Sequence, residues 1–549
     1  MGKSVASFFV EALKAEGVEY VFGLPGEENI HFVDALEGSG IRFILTRHEQ
    51  GAAFMADIYG RVTGKAGVCM ATVGPGAINL LLGVADAQTN SSPLVAMSAQ
   101  VGLNRIYKES HQVIDLQTMF GPATKWAETV MTPASVPEMI RKAFALSQDE
   151  RPGATYLAIP QDVEAMGLPD DIKPLRAGTM GQGRPDPAHI EAAVEALKSA
   201  KHPIIMAGHG VARTGASKAL VELAEALNIP VATTFMGKGV IDDRHPLALG
   251  VIGFMRRDYE NFAFDESDLI LSIGYELQEF APARINPAGD KKVIHMHTIP
   301  AETDACYTVE VGVIGDIALG MEALHEAAHG LSFQSQPTPK IQELLAAERQ
   351  MGADDVGAPI KPQRIVMGIR EVMGDDDIVL ADTGAVKMWM ARLYPTYKPL
   401  TCLMSNGLST MAFALPGAIG AHLAYPERRI LAVMGDGSYL MNAQELETAV
   451  RENIPLKVLI WVDDSYGLIK WKMEMDLGRH SGVDFKNPDF VAHAKSYGAN
   501  GHYVNSAEEF VPTLEKAFAE EGVSVIACPV DYRENKRLTD RLGQLTMSF

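Results

Sequence analysis

The chain has 549 residues, which at roughly 150 residues per domain implies three or four domains. Its apolar fraction of 47% and charged fraction of 21% are those of a globular protein and exclude a disordered chain, a collagen or a coiled coil. With 48 basic against 69 acidic residues the net charge is −21, which repels nucleic acid and anionic membrane surfaces, so neither is an expected partner.

In chain order, Val5, Phe9 and Leu13 fall on one face of a first helix that Gly17 is placed to end. Glu11, Lys14 and Glu16 interrupt any signal-peptide core, and Ala6 breaks the myristoylation pattern that Met1-Gly2 would open. No stretch is long and apolar enough to span a bilayer, so a cytoplasmic protein is expected. Short β-rich runs follow at 18–22, 41–46, 67–72 and 93–99, separated by helix-length segments. This alternation predicts a helix-covered parallel sheet over residues 1–166.

Four glycines and four prolines between Gly167 and Pro187 mark a linker. A second series over 187–333 starts with Asp186 as N-cap, Pro187 as first helical residue and Ile190, Val194 and Leu197 as the buried stripe. Its strands are predicted at 203–207, 229–234, 268–273 and 292–297. A second linker begins at 334–340, with Pro337 and Pro339, and runs towards Pro362. The third block, 355–549, carries strands at 377–381, 430–434, 456–462 and 524–529. The fold class is therefore α/β, three consecutive doubly wound parallel-sheet domains, with no internal repeat visible in the sequence. Cys69, Cys306, Cys402 and Cys528 lie far apart and read as reduced thiols. His295 and His297 share a strand face, but no third ligand accompanies them.

Ligands of doubly wound sheets sit at the carboxyl ends of strands, so residues just after strands are the candidates. Gly435-Asp436-Gly437-Ser438 follows the apolar run 430–434, and Asp463-Asp464-Ser465 follows the run 456–462. A parallel crossover brings these two strand ends together, and two carboxylates with a backbone carbonyl suit Mg2+ bound to a diphosphate. Taken alone, Gly-Asp-Gly is equally a tight turn; the paired strand ends carry the functional reading. In the first block Glu49 stands at a strand end and helix start, a place also taken by acids that merely stabilise a helix N-terminus. Gly74-Pro75-Gly76 is a rigid turn at the same sheet edge. No complete dinucleotide fingerprint, Walker A sequence or Gly-x-Ser-x-Gly elbow occurs.

The ordered set Phe22-Gly-Leu-Pro-Gly26, Arg47-His-Glu49, Gly74-Pro-Gly76, Gly435-Asp-Gly437 and Asp463 resembles the thiamine-diphosphate enzymes across essentially the whole chain. Ser405-Asn-Gly-Leu-Ser-Thr-Met411, Gln444-Glu-Leu-Glu-Thr-Ala449 and Val530-Asp-Tyr-Arg-Glu-Asn535 make it most similar to acetolactate and acetohydroxyacid synthases. The resemblance implies a pyrimidine-binding first domain and a third domain that holds the diphosphate through Mg2+. It implies that Glu49 hydrogen-bonds N1′ of the aminopyrimidine of a cofactor bound mainly by a partner subunit. Met411 supports the bent cofactor, Gly384, Gly437 and Ser438 cradle the diphosphate, and Asp436, Asp463 and the Ser465 carbonyl hold the metal. Gly76, Gly435 and Tyr466 join the cofactor contacts, Gln112 is a catalytic candidate facing the substrate, and Pro25, Gly26 and Lys472 are substrate candidates. The usual second metal ligand is Asn, so Asp463 departs from the pattern, and Asp464 is the alternative if the register is off by one.

The implied reaction decarboxylates a 2-oxo acid, pyruvate, and joins the two-carbon unit to a second 2-oxo acid, giving 2-acetolactate and CO2. A related decarboxylase or acyloin-forming lyase is the alternative, and a flavin-containing pyruvate oxidase-like enzyme is the rival. Where the flavin-requiring branch carries Arg-Phe-Asp-Asp-Arg, this chain reads Gly274-Tyr-Glu-Leu-Gln278, and Lys472 stands where that branch has its acceptor-selecting Trp. FAD is therefore not expected. Lys472 is either an anion receiver or a solvated helix lysine, and the acceptor stays open. A homo-oligomer is expected, a dimer at least and a tetramer by resemblance.

Overall fold

The computed structural model describes residues 3–169, 171–178, 181–253, 258–334 and 338–538. Met1-Gly2, Pro337 of the second linker, parts of the first linker and the end of the third block lie outside the described residues. Among the described residues every strand belongs to one of three six-stranded parallel sheets.

The first sheet comprises β1 (Tyr20–Gly23), β2 (Arg42–Leu45), β3 (Gly67–Ala71), β4 (Leu94–Gln100), β5 (Trp126–Thr129) and β6 (Ala154–Pro160), in the order β2-β1-β3-β4-β6-β5. β3, β4 and β6 are buried throughout, as inner parallel strands with helices on both faces must be. The helix Val5–Ala15 starts where the Ser4 hydroxyl accepts from Ser7 N–H at 3.1 Å and buries Val5, Phe9 and Leu13. Gly17, with φ +80°, follows its end.

The second sheet comprises β7 (Pro203–Ala207), β8 (Val231–Thr233), β9 (Ala248–Val251), β10 (Leu269–Ile273), β11 (Lys292–His297) and β12 (Val309–Ile314), in the order β12-β11-β10-β7-β8-β9. Asp186 caps the helix Pro187–Ser199 by accepting from Ala188 N–H at 2.9 Å. His295 is spent on structure: its ring bonds Tyr307 OH at 3.0 Å and donates to the Ile299 carbonyl at 3.0 Å. The second linker is shorter than the sequence implies, because Thr338–Arg349 is a helix that buries Ile341 and Leu345.

The third sheet comprises β13 (Ile378–Ala381), β14 (Cys402–Leu403), β15 (Ile430–Gly435), β16 (Lys457–Val462), β17 (Asn500–Tyr503) and β18 (Ser524–Pro529), in the order β14-β13-β15-β16-β18-β17. The first and third sheets thus share one topology, while the second has the order typical of dinucleotide-binding domains. Each sheet has a switch point where neighbouring strands send their connections in opposite directions: β1/β3, β7/β10 and β13/β15.

The chain forms two compact units. One contains Met1–Met180 with Leu408–Glu427 and Leu440–Leu456; the other contains Gly181–Gly407, Arg428–Tyr439 and Lys457–Phe549. Two helical segments that the sequence assigns to the third block therefore pack in the first unit. Among the described residues no helix is long and apolar enough to cross a membrane.

Candidate active site

In the first unit, β2 ends at Leu45 and the helix Glu49–Thr63 begins at Glu49. His48 is its N-cap, with Nδ1 accepting from Gln50 N–H at 3.1 Å. The Glu49 side chain is buried at 7% exposure, and Asn79 donates to its Oε2 at 2.9 Å. A Cβ on Gly76 would stand 3.2 Å from Glu49 Oε1 and 2.9 Å from Thr72 Cγ2, so only glycine lets that turn approach the carboxylate so closely. Thr72 also fills the space where Gly26 lacks a side chain, and its hydroxyl donates to Glu28 at 2.8 Å. Gly26 and Gly76, read separately from the sequence, therefore both pack on Thr72, and Gly76 also meets Glu49. Neither Thr72's bridging position nor Glu28 is signalled by a sequence motif.

Gln112 packs on Gly74 and holds φ +61°, a left-handed conformation few non-glycine residues adopt. Met411 lies between two more such residues, Ser409 (φ +56°) and Ala412 (φ +69°). Among the bonds that hold the loop, Thr410 donates to Asp86 at 2.7 Å and Asn442 donates to the Ala412 carbonyl at 2.9 Å. Backbone strain held in place by surrounding bonds is a mark of functional loops. Pro25 is exposed.

In the second unit, Asp436 begins the helix after β15 and is 1% exposed. Its Oδ1 accepts from Gly437 N–H at 2.8 Å. Its Oδ2 accepts from the N–H groups of Asp463 (3.0 Å) and Asp464 (2.8 Å) and from Asn487 Nδ2 (2.8 Å). β15 and β16 are neighbours, so the predicted meeting of the two strand ends is realised. Asn487 also donates to Asp464 Oδ1 at 2.7 Å, which ties that carboxylate away, and Asp464 holds φ +53°. Asp463 instead accepts from the Ser465 hydroxyl at 2.6 Å and borders a cavity of about 450 Å3 with Ser465, Gly467, Lys470, Trp471 and Tyr532. Asn487 is a site residue that sequence reasoning missed; it lies in no motif and reaches Asp436 only through tertiary packing.

Burial raises the Asp436 carboxyl, its four donors notwithstanding. Burial, with the nearby charge of Asp436 adding to it, pushes Asp463 up to about 7. Two acidic groups raised in this way fit a divalent cation, and their oxygens are the hard donors Mg2+ prefers. Among the described residues no three His, Cys, Asp or Glu side chains form a metal cluster.

Gly384 (φ +125°) begins the helix Ala385–Leu393 after β13, on the other side of the switch point from Gly435. No atom lies within 4 Å of a Cβ on either Gly384 or Gly435. At Gly437 a Cβ would stand 2.7 Å from the Tyr466 ring, which also packs edge-on against Phe485 at 5.1 Å. The Ser438 hydroxyl donates to the Thr383 carbonyl at 3.4 Å. Lys472 is exposed on the helix Gly467–Leu477, its Nζ 5.2 Å from the Trp471 ring centroid, and Lys470 lines the cavity instead.

Glycine turns at the switch points of two parallel sheets, with buried carboxylates at or beside them, fit an α/β enzyme built around a phosphorylated cofactor. The thiamine pyrophosphate enzymes match this chain three times: their N-terminal TPP binding domain at residues 3–119, their central domain at 190–324 and their C-terminal TPP binding domain at 382–528. The chain belongs to this family. It is 37% identical to a probable acetolactate synthase large subunit of Methanococcus aeolicus, over 93% of this chain and 89% of the relative. It is 34% identical to an acetolactate synthase of Bacillus subtilis, over 98% and 95%. With a catabolic acetolactate synthase of Raoultella terrigena it shares 35% identity over 99% and 97%.

Proposed function

We propose that the protein is a thiamine-diphosphate- and Mg2+-dependent carboligase that decarboxylates pyruvate and joins the two-carbon unit to a second 2-oxo acid, pyruvate giving 2-acetolactate and CO2. The full-length similarity to acetolactate synthases supports the reaction. The observation that carries the reading is the buried Glu49, oriented by Asn79 and approached by Gly76. Bound thiamine diphosphate supplies the nucleophilic carbon and the electron sink that decarboxylating a 2-oxo acid requires.

Glu49 holds and shares a proton at N1′ of the aminopyrimidine ring; with Oε2 engaged by Asn79, its Oε1 faces the Gly76 turn. Asp436, Asp463 and the Ser465 carbonyl hold Mg2+, while Asn487 and the N–H groups of Asp463 and Asp464 aim Asp436. Gly384, Gly435, Gly437, Ser438 and Tyr466 border the diphosphate, and Met411 supports the cofactor. Pro25, Gly26 and Gln112 face the substrate. In this reading Glu49 serves a cofactor held by another subunit, so a homodimer is the smallest active unit and a tetramer the expected assembly.

The central domain is read as flavin-free although its strand order is the dinucleotide type. At its β7/β10 switch point the Glu279 carboxylate accepts from His209 N–H at 3.2 Å, Glu276 N–H at 3.0 Å and the Thr234 hydroxyl. The chain's own anion thus takes the backbone donors a ligand diphosphate would need.

Incubation of the purified holoenzyme with pyruvate alone tests the reading: 2-acetolactate and CO2 are expected, without flavin absorbance. Glu49→Gln should lower turnover by at least ~10²-fold with folding and metal content unchanged. Acetaldehyde as the sole product, a yellow protein, or unaltered turnover in that variant would each overturn part of the assignment.

A further inference from the structure

The motif Gln444-Glu-Leu-Glu-Thr-Ala449 is left without a role by the function above. Glu445 opens the helix Glu445–Arg451 and is 0% exposed. Its Oε1 accepts from the N–H of His48 at 2.9 Å and of Arg47 at 3.1 Å, the two residues directly before Glu49. Its Oε2 accepts from the Thr448 hydroxyl at 2.7 Å and lies 3.3 Å from Arg47 N.

On the other side of Glu49 stands Gly51, where a Cβ would be 2.6 Å from Glu445 Oε1 and 2.7 Å from its carboxyl carbon. The carboxylate therefore occupies the place of a side chain against the first turn of the Glu49 helix. The far end of Glu445–Arg451 is tied to the strand that leads into the same corner. Arg451 donates to the Leu45 carbonyl, and Arg42 pairs with Glu452 at 2.9 Å. One short helix thus splints the strand, the three-residue turn and the helix start that together place Glu49.

Resting on the thiamine-diphosphate reading, we infer that Glu445 is the positioning residue for Glu49: it fixes the backbone from which the Glu49 carboxylate reaches the cofactor's pyrimidine ring. It acts through Glu49 and takes no part in the chemistry. Misplacing a reacting group by about 1 Å can cost ~10²-fold in rate, so the splint matters although it is remote from the reacting atoms. Glutamine keeps an acceptor for the two N–H groups, whereas alanine leaves both without one.

The test compares Glu445→Ala, Glu445→Gln and Glu49→Gln holoenzymes by exchange of the bound cofactor's C2 proton in D2O, by kcat and KM for pyruvate, and by Mg2+ and thiamine diphosphate titration. Glu445→Ala is expected to slow exchange and kcat together by ~10-fold or more, with KM and cofactor affinity within about 3-fold. Glu445→Gln should recover most of the loss. In a Glu49→Gln background Glu445→Ala should add no further loss, because both changes remove one function. Should Glu445→Ala not fold, Gly51→Ala, which pushes the carboxylate through the 2.6 Å contact, is expected to give the same pattern.

Wild-type exchange in Glu445→Ala or Gly51→Ala, additive losses in the Glu49→Gln background, or a loss of cofactor affinity matching the loss of rate would overturn the inference. If Glu49→Gln itself leaves exchange unchanged, the functional reading fails first. If Glu49→Gln collapses and Glu445→Ala does not, only the positioning role fails.

Discussion

Replacing Asn487 with alanine is a sharp test of the proposed metal site, because it removes no assigned ligand and acts only on how one is held. The side chain donates to Asp436 Oδ2 at 2.8 Å and to Asp464 Oδ1 at 2.7 Å. Hydrogen bonds to charged groups contribute about 1.5–3 kcal/mol each. Asp436 keeps three backbone donors, from Gly437, Asp463 and Asp464, so its orientation is weakened, not lost. A loss at the lower end, ~1.5 kcal/mol, corresponds to about tenfold in affinity, and loss of both bonds to about a hundredfold. That range agrees with the ~10–100-fold effect of removing a residue that orients a metal ligand. Calorimetric titration of Mg2+ at fixed thiamine diphosphate measures it. The Asn487→Ala protein should need 10–100-fold more Mg2+, with kcat at saturating metal close to wild type. Asp489→Ala is the control: Asp489 caps the following helix by accepting from Val491 and Ala492 N–H at 2.9 and 3.0 Å, so its loss should cost about 1 kcal/mol of stability and leave the Mg2+ titration in place. A folded Asn487→Ala protein with the wild-type Mg2+ curve, or an equal shift in Asp489→Ala, would refute the reasoning.

Gly437→Ala should displace the Tyr466 ring, costing ~1–3 kcal/mol and weakening thiamine diphosphate retention, whereas Gly435→Ala, open within 4 Å, should retain apo stability; equal melting temperatures for the two variants would contradict this. Glu164, enclosed by Phe32, Met70, Met97 and Ile159, is raised by burial to about 8 from its ordinary 4.5, with the Phe32 N–H as a partial offset. The folded state holds the proton more tightly than the unfolded, so this stabilisation is complete below pH ~4.5 and lost as pH rises through about 8. Glu164→Gln should therefore gain stability over wild type as pH rises across that window, with a ceiling of ~5 kcal/mol. Parallel stability curves for the two proteins from pH 4.5 to 9 would remove Glu164 as the cause.

How much of the fold was legible follows from where each strand sits. Runs such as Ile430–Gly435 and Pro203–Ala207 are inner strands, apolar along their length because both faces are covered, and the sequence marks them plainly. The edges escape that signal. Trp126–Thr129 is only half-buried, Cys402–Leu403 is two residues long, and Val309–Ile314 carries Glu310 and Gly312. Arg42–Leu45 is the edge strand that was found, and Arg47-His48-Glu49 follows directly after it. Ala154–Pro160 is an inner strand with a clear apolar run, but a short run of that kind does not by itself distinguish strand from buried helix.

The site was legible where backbone geometry forces a residue type and obscure where only packing decides. Gly76 and Gly437 stand out because a side chain would strike Thr72 or Tyr466, and Asp436 because it directly follows a buried strand. Asn487 and Glu28 act across the fold and leave no local spacing to read, and Glu445 lies in a motif whose contacts only packing reveals. The shared topology of the first and third sheets was invisible for the same reason: strand order is set by crossovers, not by residue identity. Once that order is known, the glycines fall into place. Gly26 and Gly76 follow the switch-point strands β1 and β3, Gly384 follows β13 and Gly435 ends β15. One architecture thus presents its crevice twice, with the acid after the neighbouring strand β2 in the first sheet and after the crevice strand β15 itself in the third. In the proposed reading, a heterocycle that must exchange a proton and a diphosphate that must meet a metal ask for carboxylates in different places, and this difference in placement suits those two tasks.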